Sequence, residues 1–257
     1  MHFHLPKPLH GWREFVGEVG IIVIGVLIAL GAEQVVETIH WRDQVRGGRE
    51  ALREDFTTIL VNAGEREAED QCIRDRLVYL RNILDAHGDR LPPVGHVGSP
   101  PARPWYPASW DSLVASNVSA HMSRQDLLAF GGVAHQARLA EDTANTEIED
   151  WAVIYTMVGP GRELGGGEAA QLRRAITDAA FQLNTMRLVA PQLARSIRDT
   201  GLLTRSDQDQ VKTQVAGVLR GPNARSVCGP VPPPDPARVD APYDRAVQRD
   251  PLGGAAK

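Results

Sequence analysis

Residues 15–32, FVGEVGIIVIGVLIALGA, constrain this chain more than any other stretch, because a helix apolar on every side has no face to turn to water. Between Val19 and Ala32 there is no charged or amide side chain, and Phe15 and Val16 extend the run backwards past Glu18. Counted from Phe15 through Val19, Gly25 and Ala29 to Ala32 it reaches about 18 residues, the lower end of what crosses about 30 Å of hydrocarbon. Trp12 precedes the run and Trp41 follows it. A helix joining them spans about 44 Å at 1.5 Å per residue, close to a bilayer with its headgroups, where indoles settle as interfacial anchors. Pro6 and Pro8 place the helix start near Gly11 or Trp12.

Three other readings fit parts of this stretch. A buried core helix suits the uncharged run from Val19 to Ala32. A cleaved signal peptide finds a loose version of its pattern in Lys7, Arg13 and Ala29-Leu30-Gly31. An interfacial amphipathic helix fits worst, because the run has no polar face. The spanning anchor is favoured, since the helical pattern continues without a break through Glu33, Val35, Val36 and Ile39. Glu18 lies near one end of the span and reaches the headgroups from there. Gly25 and Ala29 form a single small-xxx-small pair, a weak dimerisation signal.

After the anchor, Leu52, Phe56, Ile59, Ala63, Arg66, Asp70, Ile73, Leu77, Leu80 and Leu84 step by alternating fours and threes, the period of side-by-side helices. The helix is expected to pause at Gly47-Gly48, with Arg66 and Asp70 forming an i,i+4 pair at a wet point. Prolines at 92, 93, 100, 101, 104 and 107 make 89–107 a loop without regular structure. A short helix over 109–120 starts at Ser109. A second seam, Leu127, Phe130, Ala134, Ala137, Glu141, Ala144, Ile148, Trp151, Tyr155 and Val158, follows a Ser123 cap and stops at Gly159-Pro160-Gly161. A third, Leu172 to Ile197, carries Pro191, where a kink or break is expected. Ser206 is expected to cap a last helix ending near Leu219.

The expected fold class is therefore all-α: an N-terminal transmembrane helix continuing into an antiparallel helical bundle, with a disordered, proline-rich tail. The expected boundaries are an N-terminal tail over 1–11, the anchor with interfacial ends over 12–41, the bundle over 42–220, and the tail over 221–257, too poor in apolar residues to offset its ordering entropy.

Chemistry is sparse. The formal net charge of -4 offers no broad basic surface, so nucleic acid is not an expected partner. Glu37 and His40 form the only ExxH, short of a di-iron set, and HExxH, GxSxG and P-loop spacings are absent. No catalytic, cofactor-binding or metal-ligating residues are assigned, and no enzyme activity is expected. Acids at 141–142 and 147–150 read as a solvated helix face apart from Glu141. Trp110, Trp151 and Tyr155 line either core or an aromatic pocket. Cys72 and Cys228 are the only cysteines. They are either a disulfide formed in an oxidising compartment, tying the tail to the first long helix, or two unrelated thiols. Positive charge on both sides of the span, Lys7 and Arg13 before it and Arg42, Arg46, Arg49 and Arg53 after it, leaves orientation open; a cytoplasmic amino end is favoured because long domains translocate regardless of such charges.

HFHLPKPLHGWREFVGEVGIIVIGVLIALGAEQVVE and the later WDSLVASNVSAHMSRQDLLAFGGVAHQ resemble a family of uncharacterised bacterial single-pass membrane proteins. That family has a Gly-Glu-(apolar)-Ile-Gly-(apolar)-Leu-Ile-Ala-Leu anchor and a Leu-small-small motif leading into a helix. The resemblance covers about half the chain, most specifically in the anchor, and carries no known activity or site residues. It implies an uncleaved inner-membrane anchor, a cytoplasmic amino end and a helical periplasmic domain. The expected function is a membrane-tethered interaction or scaffold domain with a protein partner or a second copy of itself. A ligand-sensing input module is the alternative, its ligand unspecified by the sequence.

Overall fold

The computed structural model describes residues 11–221 and 227–229. One helix, α1 (Trp12–His87), runs 76 residues without interruption, about 114 Å at 1.5 Å per residue. From Phe15 to Ala32 its large side chains are exposed, and it begins to acquire neighbours at Trp41. From Leu52 onward it belongs to the core: every member of its expected seam except Asp70 is buried.

The expected pause at Gly47-Gly48 does not occur. Gly48 is buried instead, because Leu113 of α2 (Ala108–Ala115) lies where a Cβ would stand, while Gly47 faces open space. α2 is shorter than its sequence pattern predicts. It ends before Asn117, whose φ of 62° is the left-handed region, and a 3-10 turn follows over Val118–His121.

α3 (Arg124–Tyr155) and α4 (Glu168–Asp199) complete the long helices, and α5 (Arg205–Val218) covers α1 around Arg53 and Gly64. Ser123 caps α3 by accepting from the Asp126 amide at 3.0 Å. α5 is capped by Thr204 in a capping box with Asp207, two residues before the expected Ser206. Pro191 does not break α4; it stands on the exposed face, where water can satisfy the carbonyl it leaves unbonded.

Direction follows from cross-helix pairs. Arg49 meets Asp126 and Arg66 meets Glu147, so α1 and α3 run parallel, whereas Arg81 donates to Thr177 and Arg173 to the Leu84 carbonyl, so α4 is antiparallel to both. Parallel neighbours need a long return connection, and residues 92–107 provide it. This strap descends beside α1: Val97 lies by Arg76, Arg103 by Glu65, Pro104 by Asn62 and Ser109 by Asp55. Its prolines suit that path, since an extended chain advances about 3.1 Å per residue and twelve residues return what takes about two dozen in a helix. The loop is not wholly irregular: β1 (Arg90–Leu91) pairs antiparallel with β2 (Arg162–Glu163), and Val94 bridges to Gly159.

The core divides in two along the bundle axis. The cluster nearer the apolar end of α1 centres on Leu52, Phe56, Phe130, Ala137 and Leu193, and the distal one on Ile73, Leu80, Ile154, Leu172 and Leu183. Between them α3 is turned from its expected face. Ile148 is exposed, whereas Thr143 and Glu147 are buried, because Glu147 has a cation to reach.

Candidate functional site

The layer separating the two apolar clusters carries charge. Arg66, only 8% exposed, donates to Glu147 of α3 at 2.7 Å, and does not pair with Asp70, which accepts instead from Arg74 at 3.0 Å. Immediately before Arg66 on α1, Glu65 accepts two bonds from Arg103 of the strap at 2.6 and 2.8 Å, the forked geometry only arginine supplies. Asn62 donates to the Pro104 carbonyl at 2.7 Å. Glu141, the polar residue of the α3 seam, accepts from the backbone amides of Trp105 and Tyr106 at 2.5 and 3.2 Å. The buried polar residues of α1 and α3 thus hold the strap, and the 147–150 segment is only partly the solvated face its composition suggests.

Glu69 is the exception. It is 1% exposed, and among the described residues neither carboxylate oxygen has a hydrogen-bond partner. Burial raises its pKa to about 7; Glu65 adds to the rise, while Arg66 and Arg103 oppose it. It lines a chamber of about 20 Å³ with Glu65, Arg66, Arg103, Glu147 and Met186. That volume takes about one water molecule. A third carboxylate oxygen unpartnered among the described residues belongs to Asp150, whose pKa burial raises to about 6, with Asp178, Glu147 and Glu149 contributing. Among the described residues no group of three or more His, Cys, Asp or Glu is arranged to hold a metal ion.

A shallow groove of about 440 Å³ lies on the outer side of the same strap, between residues 99–103 and the α3 side chains Ile148, Trp151 and Tyr155. The structure brings Trp151 and Tyr155 together there, while Trp110 lies apart, against Gly131. Trp151 is 2% exposed with its indole N–H unpartnered.

At the distal end, Cys72 and Cys228 form a disulfide. Arg76, 4% exposed, donates to the carbonyls of Val97, Val227 and Gly229 at 2.6, 3.1 and 2.6 Å. No carboxylate among the described residues pairs with it, and burial lowers its pKa from the ordinary arginine value. Arg76 and the disulfide together fasten the strap and residues 227–229 to α1. The remaining expectations for 1–10, 222–226 and 230–257 lie outside the described residues.

At the anchor, Phe15, Val19, Gly25, Ala29 and Ala32 are all exposed, and nothing approaches Gly25 within 4 Å of where a Cβ would stand. The stretch meets the length and apolarity needed to cross a membrane, and none of its most apolar window is buried in the bundle. Trp12 is 77% exposed and its ring lies against Phe15. Trp41 is half-buried, stacked on His121 at 3.8 Å between ring centroids, so it joins anchor to bundle as well as standing where an interfacial residue would. Glu37 accepts weakly from the Trp41 indole at 3.3 Å and His40 lies edge-on to it; no ligand set forms around them. Sequence reasoning missed Glu147, Arg76 and Arg103, because each takes its role from a partner at least 21 residues away, and Glu69, because its burial follows from the packing around it. The chain matches no protein-family model, no curated protein and no solved structure.

Proposed function

We propose that the chain is a single-pass membrane protein, anchored by α1 in a bacterial inner membrane, that presents its bundle outside the cytoplasm as an interaction or scaffold domain. The observation that carries the proposal is the continuity of α1: one helix has an exposed apolar length and, from Leu52 onward, a core face buried except at Asp70. A helix exposing large apolar side chains for about 18 residues is costly in water and stable in lipid. The Cys72–Cys228 disulfide supports an oxidising compartment for the bundle, hence a cytoplasmic amino end. Resemblance to anchored bacterial proteins supports the same orientation. The proposal gives the bundle a binding role, without catalysis or nucleic acid, towards an envelope protein or a second copy of itself.

Fractionation followed by labelling of intact spheroplasts with a membrane-impermeant thiol reagent tests this. Cys72 and Cys228 should react only after reduction, in protein that stays with the membrane through carbonate extraction. Labelling only after lysis would place the bundle in the cytoplasm and overturn the proposal.

The groove beside Trp151 favours a second reading, a module that senses a small molecule and signals through a partner. Dose-dependent thermal stabilisation by a metabolite, lost in Trp151→Ala, would support it.

A further inference from the structure

We infer that Glu69 is a buried proton-binding site, and that loss of its proton unseats the proline strap from the bundle. The inference stands on geometry and does not depend on which membrane or partner the bundle serves.

The chamber contains three carboxylates and two guanidiniums, and both guanidiniums are committed. Arg103 forks onto Glu65, and Arg66 donates to Glu147. Glu69, on the same turn of α1 as both Glu65 and Arg66, bonds to neither cation although it lies within range of their charge. From α4 the chamber receives Met186, and from the rest of the strap Pro100, Pro101 and Ala102, none of which carries charge. With Glu69 protonated, the two other carboxylates of the chamber match its two guanidiniums. Ionised, it carries one uncompensated negative charge between two apolar clusters, a situation proteins relieve by neutralising the group or admitting water. Its raised pKa agrees with that placement, near the pH most compartments hold.

The strap is the element that can yield. Helices α1, α3 and α4 are held by their own backbone ladders and two apolar clusters. Residues 99–106 have no such ladder: Trp105 and Tyr106 pack on the first apolar cluster, and the rest of the segment is seated by polar contacts, Ser99 with Tyr155, Arg103 on Glu65, Asn62 on the Pro104 carbonyl and Glu141 on two amides. A second anion beside Glu65 competes for Arg103, and lifting the strap lets water reach both carboxylates. When Glu69 ionises its proton passes to solvent, and no other group need change its charge. The strap also forms one wall of the groove beside Trp151, so its release would reshape that surface.

Hydrogen exchange of the Trp105 and Tyr106 amides in the full-length protein in lipid nanodiscs, corrected for the intrinsic pH dependence of exchange, reads strap docking directly. Protection should fall as pH rises through about 7, by up to about tenfold per unit beyond the midpoint. Glu69→Gln should keep these amides protected at both ends of the range, and Asp150→Asn should leave the wild-type transition in place. Unchanged wild-type protection between about pH 6 and about pH 8, or a Glu69→Gln transition like that of the wild type, would overturn the inference. Infrared titration of the wild type supplies a test that needs no variant. A carboxylic acid C=O band should disappear with a midpoint near neutrality, and its absence at acid pH would equally refute a protonated Glu69.

Discussion

Arg66 and Glu147 illustrate how a buried pair can specify a fold without being its main source of stability. Each is nearly inaccessible, and each leaves an uncompensated group if the other is removed. Glu147→Ala should therefore cost about 3–5 kcal/mol in the unfolding free energy measured by urea titration. The double replacement Arg66→Met with Glu147→Leu should recover most of that loss or exceed the wild type, because two apolar groups need no compensation. Removing Glu147 alone also frees the Arg66 guanidinium to compensate Glu69, so Glu147→Gln should lower the pH at which Glu69 ionises. The pH dependence of stability follows from the same carboxylate. A folded pKa raised from 4.5 to about 7 means that the folded state retains a proton the unfolded chain has lost, so stability falls as pH rises through that window. Asp150, raised from 3.8 to about 6, acts in the same direction over a lower range, leaving Glu69 as the cause of any slope between about pH 6 and about pH 7. The thermal midpoint should be lower at about pH 8 than at about pH 6, and flat over that interval in Glu69→Gln. Glu168 and Asp207 work oppositely. Arg162 holds the first below the usual carboxylate range and the Thr204 cap holds the second, so their contributions are present above that range and lost on acidification.

Adjacent glycines on α1 differ in what they face, and that difference belongs to the element. Gly47 stands in open space, so Gly47→Ala should raise stability by up to about 1 kcal/mol through helix propensity alone. Gly48 meets Leu113 of α2, and Gly64 would place a Cβ 2.7 Å from Val215 of α5. Gly64→Val should lower stability by about 1–3 kcal/mol, since α5 must shift to admit it; thermal unfolding of the two variants in detergent distinguishes the cases. The α1 seam from Leu52 to Leu84 was legible in the sequence because a period of threes and fours survives whatever packs against it. The α3 seam was legible only in part: Ile148 continued the pattern better than Glu147, yet Glu147 is buried, because a cation on another helix outweighed local periodicity. The disulfide is also an element-scale device. It closes a 156-residue separation onto α1 beside Arg76, and its reduction should cost about 2–5 kcal/mol, read as a drop in urea midpoint. Exchange protection at residues 227–229 should fall with it.

For the whole molecule the division of labour lies along α1. Its first part meets no other element, and its second meets α2, α4, α5 and, through side chains, α3. A charge placed in the first part acts only on the anchor. Ile24→Arg should add about 2.5–3.5 kcal/mol to membrane insertion and shift protein from the carbonate-resistant to the soluble fraction, while the isolated variant keeps the wild-type circular dichroism of its bundle. The sequence by itself determined the long apolar helix, the helical class and the positions of most core residues, because hydrophobic run length and helical period are local quantities. Only the tertiary structure decided that α1 and α3 run parallel, that the prolines form an extended return strap rather than a loose loop, and that charge at 65, 66, 69, 103 and 147 converges in one buried layer. Those features depend on pairs separated by up to 81 residues, and a carboxylate's partner across such a distance leaves no period in the chain.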